Sequence, residues 1–216
     1  NLLRNCLNYY HTINFGGKIL IIDSSDDLEL KQNKKNINNF NNLNITHKIK
    51  KTSIMGSLKY AVNYVETNYL TQSGDDDFIV PDSAKKCIEF LNSNKDYILA
   101  NGKTILTILD PENKKILDTC IYNNLGCSIN NETAIERLNA FSTNYQTLSQ
   151  SICRTEIFKI AINKIPLEEN FNLLNKKSHE EMKYIIGELQ LNFLLLTFGK
   201  IISLDKLFLI RTKFFE

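Results

Sequence analysis

Tryptophan is absent from the 216 residues, and methionine (two), proline (three), histidine (three) and glycine (eight) are scarce. With so little glycine and proline there is no linker-like or low-complexity stretch, and no internal repeat is visible. Gly16-Gly17 reads as a turn, because no G-x-G-x-x-G or P-loop spacing follows it. His11, His47 and His179 are scattered without ligand spacing and read as surface or satisfied histidines. The five cysteines, Cys6, Cys87, Cys120, Cys127 and Cys153, form no C-x-x-C pair. That spacing argues against a zinc ribbon and, in a chain this long, against a disulfide framework. Reduced thiols packed as small hydrophobes, in a cytoplasmic setting, are expected.

An excess of one charge is missing as well. Lys+Arg number 26 and Asp+Glu 24, a net +2, so whole-molecule electrostatics gives no reason to expect nucleic acid as a partner. Long hydrophobic runs are lacking too. The most apolar stretch, residues 185–198, is flanked by Glu181, Lys183 and Lys200 and interrupted by Glu188 and Asn192, which is too short and too polar to span a bilayer. No signal peptide is visible. A peripheral amphipathic contact with a membrane, at the inner face of the cytoplasmic membrane, stays open.

What is present suffices for a core: hydrophobic residues make up 43% of the chain and charged residues 23%, in keeping with one sizeable globular domain. Leu2, Leu3, Cys6, Leu7 and Tyr10 recur at helical spacing, so residues 1–13 read as a helix, and the chain opens on Asn1 inside that pattern as if it continued a longer protein. Residues 18–22 form an aliphatic run without alternation, the mark of a buried parallel strand, and stop at Asp23. A helix over 28–40, a strand over 44–49, a helix over 53–66 and a strand over 69–72 follow. Pro81-Asp82-Ser83 offers a helix start. Residues 97–109 and 115–121 read as a hairpin about a turn at 110–113. Helices are expected over 132–141, 155–162 and 178–198, an extended segment over 148–152 and a last strand over 200–211. Alternation of strand and helix in the first half predicts an α/β domain with a largely parallel sheet covered by helices on both faces.

In such sheets ligands bind beyond the carboxyl ends of the strands. Asp23 and the run Asp75-Asp76-Asp77 fall at such ends. Three adjacent carboxylates repel one another and call for a compensating cation or several donors, and Mg²⁺ or Mn²⁺ shared with phosphate oxygens supplies one. The plain alternative is a solvated acidic turn with Asp82 capping the next helix. Lys48, Lys50 and Lys51 could neutralise phosphate or simply line a solvated strand edge. Tyr145 and Arg154 could contact a ligand, with packing the simpler reading.

These residues carry a resemblance. Gly74-Asp75-Asp76-Asp77-Phe78-Ile79-Val80-Pro81, followed by a helix and the strand at 97–100, resembles the DxD region of glycosyltransferase family 2. Residues 18–27 are similar to that family's second strand with its acidic, serine-rich end, and residues 2–10 to the helix before it. Arg154-Thr155-Glu156 matches an R-T-E segment of a bacterial subgroup with an ADDDF-type motif. The resemblance spans nearly the whole chain and implies a GT-A fold, a three-layer sandwich with a mainly parallel sheet in one domain. Asp23 would lie near the nucleotide base, Asp75 and Asp76 would face the ribose and diphosphate, and Asp77, with Asp75, would bind Mn²⁺ or Mg²⁺. Many relatives have an acid where this chain has Gly74, which leaves two registers, one position apart, for the acting pair. Glu188, Leu191 and Gly199 keep the spacing of a family segment whose acid is the general base, although Leu189 departs from its E-D pattern. Glu188 would then take the acceptor's proton in an inverting transfer, or else be an ordinary helix residue on a polar face.

The implied reaction moves a sugar from a nucleotide-diphospho-sugar to a carbohydrate, lipid-linked or protein acceptor. The family's first strand, which contacts the base, has no counterpart after Asn1, so this chain is expected to lack it and to be poorly active. Two other readings stay open: a non-catalytic nucleotide-sugar binding or scaffold module, and a nucleotidyltransferase that makes the donor.

Overall fold

The computed structural model describes residues 2–110, 112, 115–122, 127–166 and 176–214, apart from the side chains of 176–184 and 214. Within the turn expected at 110–113, residues 111 and 113 lie outside the described residues.

Helix α1 (Leu2–Thr12) buries the stripe Cys6, Leu7 and Tyr10. It leads into a β-α-β unit: β1 (Lys18–Asp23), α2 (Asp27–Ile37) and β2 (Asn44–Ile49), with β1 and β2 parallel and in register from Lys18↔Asn44 to Asp23↔Ile49. The buried residues of α2 are Asn33 and Asn36, so this helix docks through amides rather than through an aliphatic stripe. Helix α3 (Ile54–Ala61) starts at Ser53, whose side chain accepts from the Gly56 N–H, and runs into a 3₁₀ turn over Val62–Tyr64.

The remaining strands are β3 (Tyr69–Leu70), β4 (Asp77–Ile79), β5 (Tyr97–Leu109), β6 (Ile116–Ile121), β7 (Ile152–Arg154) and β8 (Lys200–Phe214). They form one sheet in the order β3-β7-β5-β8-β4, with β6 added to the far half of β5. Between them lie α4 (Pro81–Ser93), α5 (Ala134–Thr143), α6 (Thr155–Lys164) and α7 (Lys176–Phe198). Pro81 opens α4, where a missing N–H costs nothing, and Thr133 with Glu136 makes a reciprocal cap at α5.

The sheet separates two apolar layers residue by residue. Leu99, Cys153 and Ile201 point into a core shared with α3, α5, α6 and α7, while their neighbours Ala100, Ile152 and Ile202 meet α4 through Cys87 and Leu91 on the other face. That two-sided burial covers residues 98–100 of β5 and 201–202 of β8, the apolar starts of the two strands. A third cluster joins α1 to Ile19, Ile21, Ile45 and Phe78. Three layers result.

The parallel expectation holds for β1–β2 and for β5–β8. The pairs β3–β7, β7–β5, β4–β8 and β5–β6 are antiparallel, so the larger sheet is mixed. Two segments differ from the sequence expectation. Strand β3 stops at Leu70, and a short strand begins at Asp77 because Phe78 and Ile79 pair with Ile210 and Leu209. The segment expected over 148–152 is instead strand at Ile152–Arg154, held by backbone bonds to β3 and β5. Among the described residues no strand joins β1 to the larger sheet. An ion pair between Lys18 and Glu66, 3.5 Å long and exposed, lies at the entry to β1.

Candidate active site

Asp23 closes β1 and is buried, 4% exposed. Its Oδ1 accepts the Ser25 N–H at 3.0 Å, and its Oδ2 accepts from Asn33 of α2 at 3.2 Å and meets His47 Nε2 of β2 at 3.1 Å. Burial works to raise its proton affinity, and the hydrogen bonds from Ser25, Asn33 and His47 outweigh it, holding the carboxyl below its usual range. The helix and the second strand of the β-α-β unit thus each supply a partner to the carboxylate that closes the first. His47, read from sequence as a surface or satisfied histidine, is one of its partners.

The acidic run divides three ways. Asp75 is exposed. Asp76 receives the Thr212 N–H (3.1 Å) and hydroxyl (2.9 Å) on its main-chain oxygen, which ties the run to β8. Its own carboxyl is pushed up, first by burial and then by the charge of Asp77. Gly74 makes room for it: a Cβ there would stand 2.6 Å from Asp76 Oδ1. Asp77 is buried, 2% exposed, on β4 opposite Arg211 of β8. Arg211 donates from Nε to Oδ1 (3.0 Å) and from Nη2 to Oδ2 (3.3 Å), while the Gln150 amide donates to Oδ2 and accepts from Arg211 Nη2 at 2.8 Å. The guanidinium lies 5.5 Å from the Tyr122 ring centroid.

Glu188 sits on α7 with 7% exposure. Its Oε1 accepts from the Tyr145 phenol at 2.5 Å and from the Thr147 hydroxyl at 3.0 Å. Burial and the Glu188 carboxylate push the phenol up to about 12, so Tyr145 keeps its proton and stays a donor.

One segment connects the last two clusters. Residues 145–150 carry Tyr145 and Thr147, which hold Glu188, and Gln150, which holds Asp77. This strap is itself fixed. Gln146, 1% exposed, exchanges two hydrogen bonds with the Cys127 backbone (3.0 and 3.1 Å), and Thr71 bonds the Gln150 carbonyl at 3.1 Å. A small cavity lined by Asn101, Thr104, Thr147, Gln150, Ser151 and Phe208 lies behind it. None of the predicted acids lines that cavity. The structure therefore brings Glu188 and Asp77 into one bonded system, while no described hydrogen bond or ion pair joins Asp23 to it. Sequence reasoning missed Arg211, Gln150 and Thr147, whose roles depend on pairings distant in the chain.

Among the described residues no three His, Cys, Asp or Glu side chains converge as a metal cluster would require. A divalent ion that keeps phosphate oxygens needs only one or two carboxylates from the protein. Asp77 does not meet that need as it stands, since Arg211 and Gln150 already occupy its oxygens.

The other candidates are structural. Arg154 donates to the carbonyls of Leu91 (2.5 Å) and Asn94 (3.2 Å) at the end of α4 and to Tyr97 O (2.9 Å), pinning a helix terminus. Lys48 and Lys50 lie over the Tyr64 and Tyr60 rings at 4.8 and 5.6 Å. Lys51 pairs with Asp26 at 3.1 Å. Gly199 is required by packing, since a Cβ would stand 2.6 Å from Ile98 Cγ2 and 2.7 Å from Asp96 O. Glu180 and Glu181 have side chains outside the described residues.

The architecture is an α/β fold of the GT-A type. It superposes on crystal structures of S. aureus TarS: on the longer chain with a TM-score of 0.60, 16% identity and 99% of this chain covered, and on TarS 1–349 with 0.59, 15% and 97%. TarS 1–349 in complex with UDP gives 0.58, 16% and 98%. This chain spans 34% of the longer TarS chain and 57% of TarS 1–349. No protein-family model matches the sequence, and no curated protein matches it. No helix among the described residues is long and apolar enough to cross a membrane.

Proposed function

We propose that this chain carries the donor site and base of a sugar transferase acting on a nucleotide-diphospho-sugar. The observation that supports it most is the 145–150 strap, which ties a buried carboxylate, Glu188, to the acidic run in a fold that one UDP-bound structure shares. Glu188 takes the proton of an acceptor hydroxyl, on a carbohydrate, lipid-linked or protein acceptor, as that oxygen attacks the anomeric carbon from the face opposite the leaving group. The C–O bond to the nucleoside diphosphate breaks, with inversion. Asp75 and Asp76 face the ribose and diphosphate, and Asp23 orders the loop after β1 on the base side. Asp75 and Asp76 would hold Mn²⁺ or Mg²⁺ together with diphosphate oxygens, and the ion supplies charge neutralisation to the leaving group when bound. Asp77 joins that set only where Arg211 lets go of it. The setting is cytoplasmic, with the membrane face as the place where a lipid-linked acceptor would be met.

Calorimetry with UDP, with and without Mn²⁺, tests the donor site, and release of UDP from UDP-glucose and UDP-N-acetylglucosamine tests the chemistry. Metal-dependent UDP binding is expected, and Glu188→Gln is expected to keep that binding while lowering turnover about a hundredfold or more. Absence of UDP binding under both conditions rejects the reading. A second reading, a binding module without catalysis, is favoured by the occupation of Asp77 by Arg211. UDP binding with equal, negligible sugar turnover in both proteins would select it.

A further inference from the structure

We infer that Tyr145 and Thr147 are positioning residues that fix Glu188 by one oxygen and leave the other to the acceptor. The inference rests on Glu188 being the base. Both hydroxyls donate to the same atom, Oε1, at 2.5 and 3.0 Å. Oε2 has no hydrogen-bond partner among the described residues, and it is not among the sealed, unpaired buried atoms. A carboxylate held in this way cannot rotate freely about its terminal bond, and its proton-accepting oxygen is chosen in advance.

The two donors are rigid for different reasons. The Tyr145 ring packs edge-on against Phe141 at 5.3 Å, and Phe141 packs in turn against Phe193 of α7 at 5.6 Å, so the phenol and the helix bearing Glu188 share one aromatic contact. Thr147 lies between Gln146 and Leu148, which are 1% and 0% exposed, so its backbone is set by burial on both sides. Tyr145 is itself 44% exposed, which places the partner of Glu188 at the surface where an acceptor arrives. A helix residue with an ordinary structural role has no need of two converging hydroxyls on one oxygen when the second oxygen is left open.

The test is a double-mutant cycle in the full chain, reading UDP release from UDP-glucose or UDP-N-acetylglucosamine, whichever turns over, with UDP affinity measured alongside. Tyr145→Phe and Thr147→Val should each lower kcat about tenfold, the worth of a hydrogen bond to a charged group, with UDP affinity unchanged. Thr147→Ser, which keeps the hydroxyl, should restore it. Placed on Glu188→Gln, Tyr145→Phe should cost less than about twofold, because the group it positions has lost its function. An equal loss in both backgrounds, or Tyr145→Phe and Thr147→Val both at wild-type kcat, overturns the inference while leaving the base in place. Wild-type turnover in Glu188→Gln overturns the base assignment and this inference together. Thermal melts of each variant identify any that have failed to fold, and Thr147→Ser then carries the comparison.

Discussion

Arg211 and Asp77 face each other across the antiparallel pair β4–β8 and share two hydrogen bonds, at 3.0 and 3.3 Å. The carboxylate is 3% exposed as a side chain and the guanidinium 26%, so the pair is largely out of water. Removing one member leaves the other charged and uncompensated, which costs more than the pair itself contributes. Arg211→Met should lower unfolding free energy by about 3 kcal/mol or more. The double change Asp77→Asn with Arg211→Met should cost less than the sum of the single ones. Urea unfolding of the four proteins checks this, and simple additivity would show that the two groups do not act as a pair.

Asp76 gives a prediction with a definite sign. Its carboxyl is raised by burial and by Asp77, so the folded state holds that proton more tightly than the unfolded chain does. The stabilising contribution is fully present below the ordinary carboxylate range and is lost as pH rises through the folded value. At neutral pH the ionised group therefore costs stability. Asp76→Asn should raise the melting temperature by a few degrees at pH 7, about 2–4 °C per kcal/mol at this size, and bring no gain near pH 3. Mn²⁺ should raise the melting temperature of the wild type and not of the variant. A gain that is the same at both pH values removes the argument.

Asp23 has the opposite sign. Its folded value is depressed because the bonds from Ser25, Asn33 and His47 outweigh burial, so its contribution is present above the unfolded value and lost as pH falls through the folded one. Asp23→Asn should destabilise at pH 7, with the difference from wild type shrinking as pH drops from about 4 toward 2. Melting curves across that window decide it. A difference that persists unchanged at pH 2 would mean that the loss is one of shape and not of charge.

Arg154 separates a packing role from a ligand role. It bonds three main-chain carbonyls, at Leu91, Asn94 and Tyr97. Arg154→Ala should cost about 1–3 kcal/mol by removing the donor to the buried Leu91 carbonyl and to Tyr97 O, with UDP affinity unchanged in the folded fraction. Calorimetry that finds UDP binding abolished in a well-folded Arg154→Ala would return this residue to the site.

Much of the fold could be read along the chain, and the reasons are local. Strand β1 declared itself through the aliphatic run Ile19–Ile22, and the starts of β5 and β8 through residues such as Leu99 and Ala100, which meet cores on opposite sides. Pro81, Thr133 and Glu136 marked helix starts through chemistry that acts over three residues. Strand β4 was hidden. Its three residues follow a polar run, and it exists only because β8, more than a hundred positions away, pairs with it. The same distance hid the partner of Asp77, since nothing near Arg211 in sequence points to an acid. His47 was legible as a satisfied histidine but its partner was not, because that depends on the β1–β2 register, which sets it opposite Ile21 within reach of Asp23. Family spacing singled out Glu188 as a candidate, but nothing singled out Thr147, because a threonine in a polar loop carries no signal of what it bonds.

The separation of β1 from the larger sheet has a consequence for how that strand meets solvent. In a parallel pair alternate residues bond the neighbour on one side, so those of β1 that turn away from β2 have no described strand to receive them. Heavy water should therefore exchange along Ile19–Ile22 in a one-on, one-off rhythm, quick at every second amide and slow between.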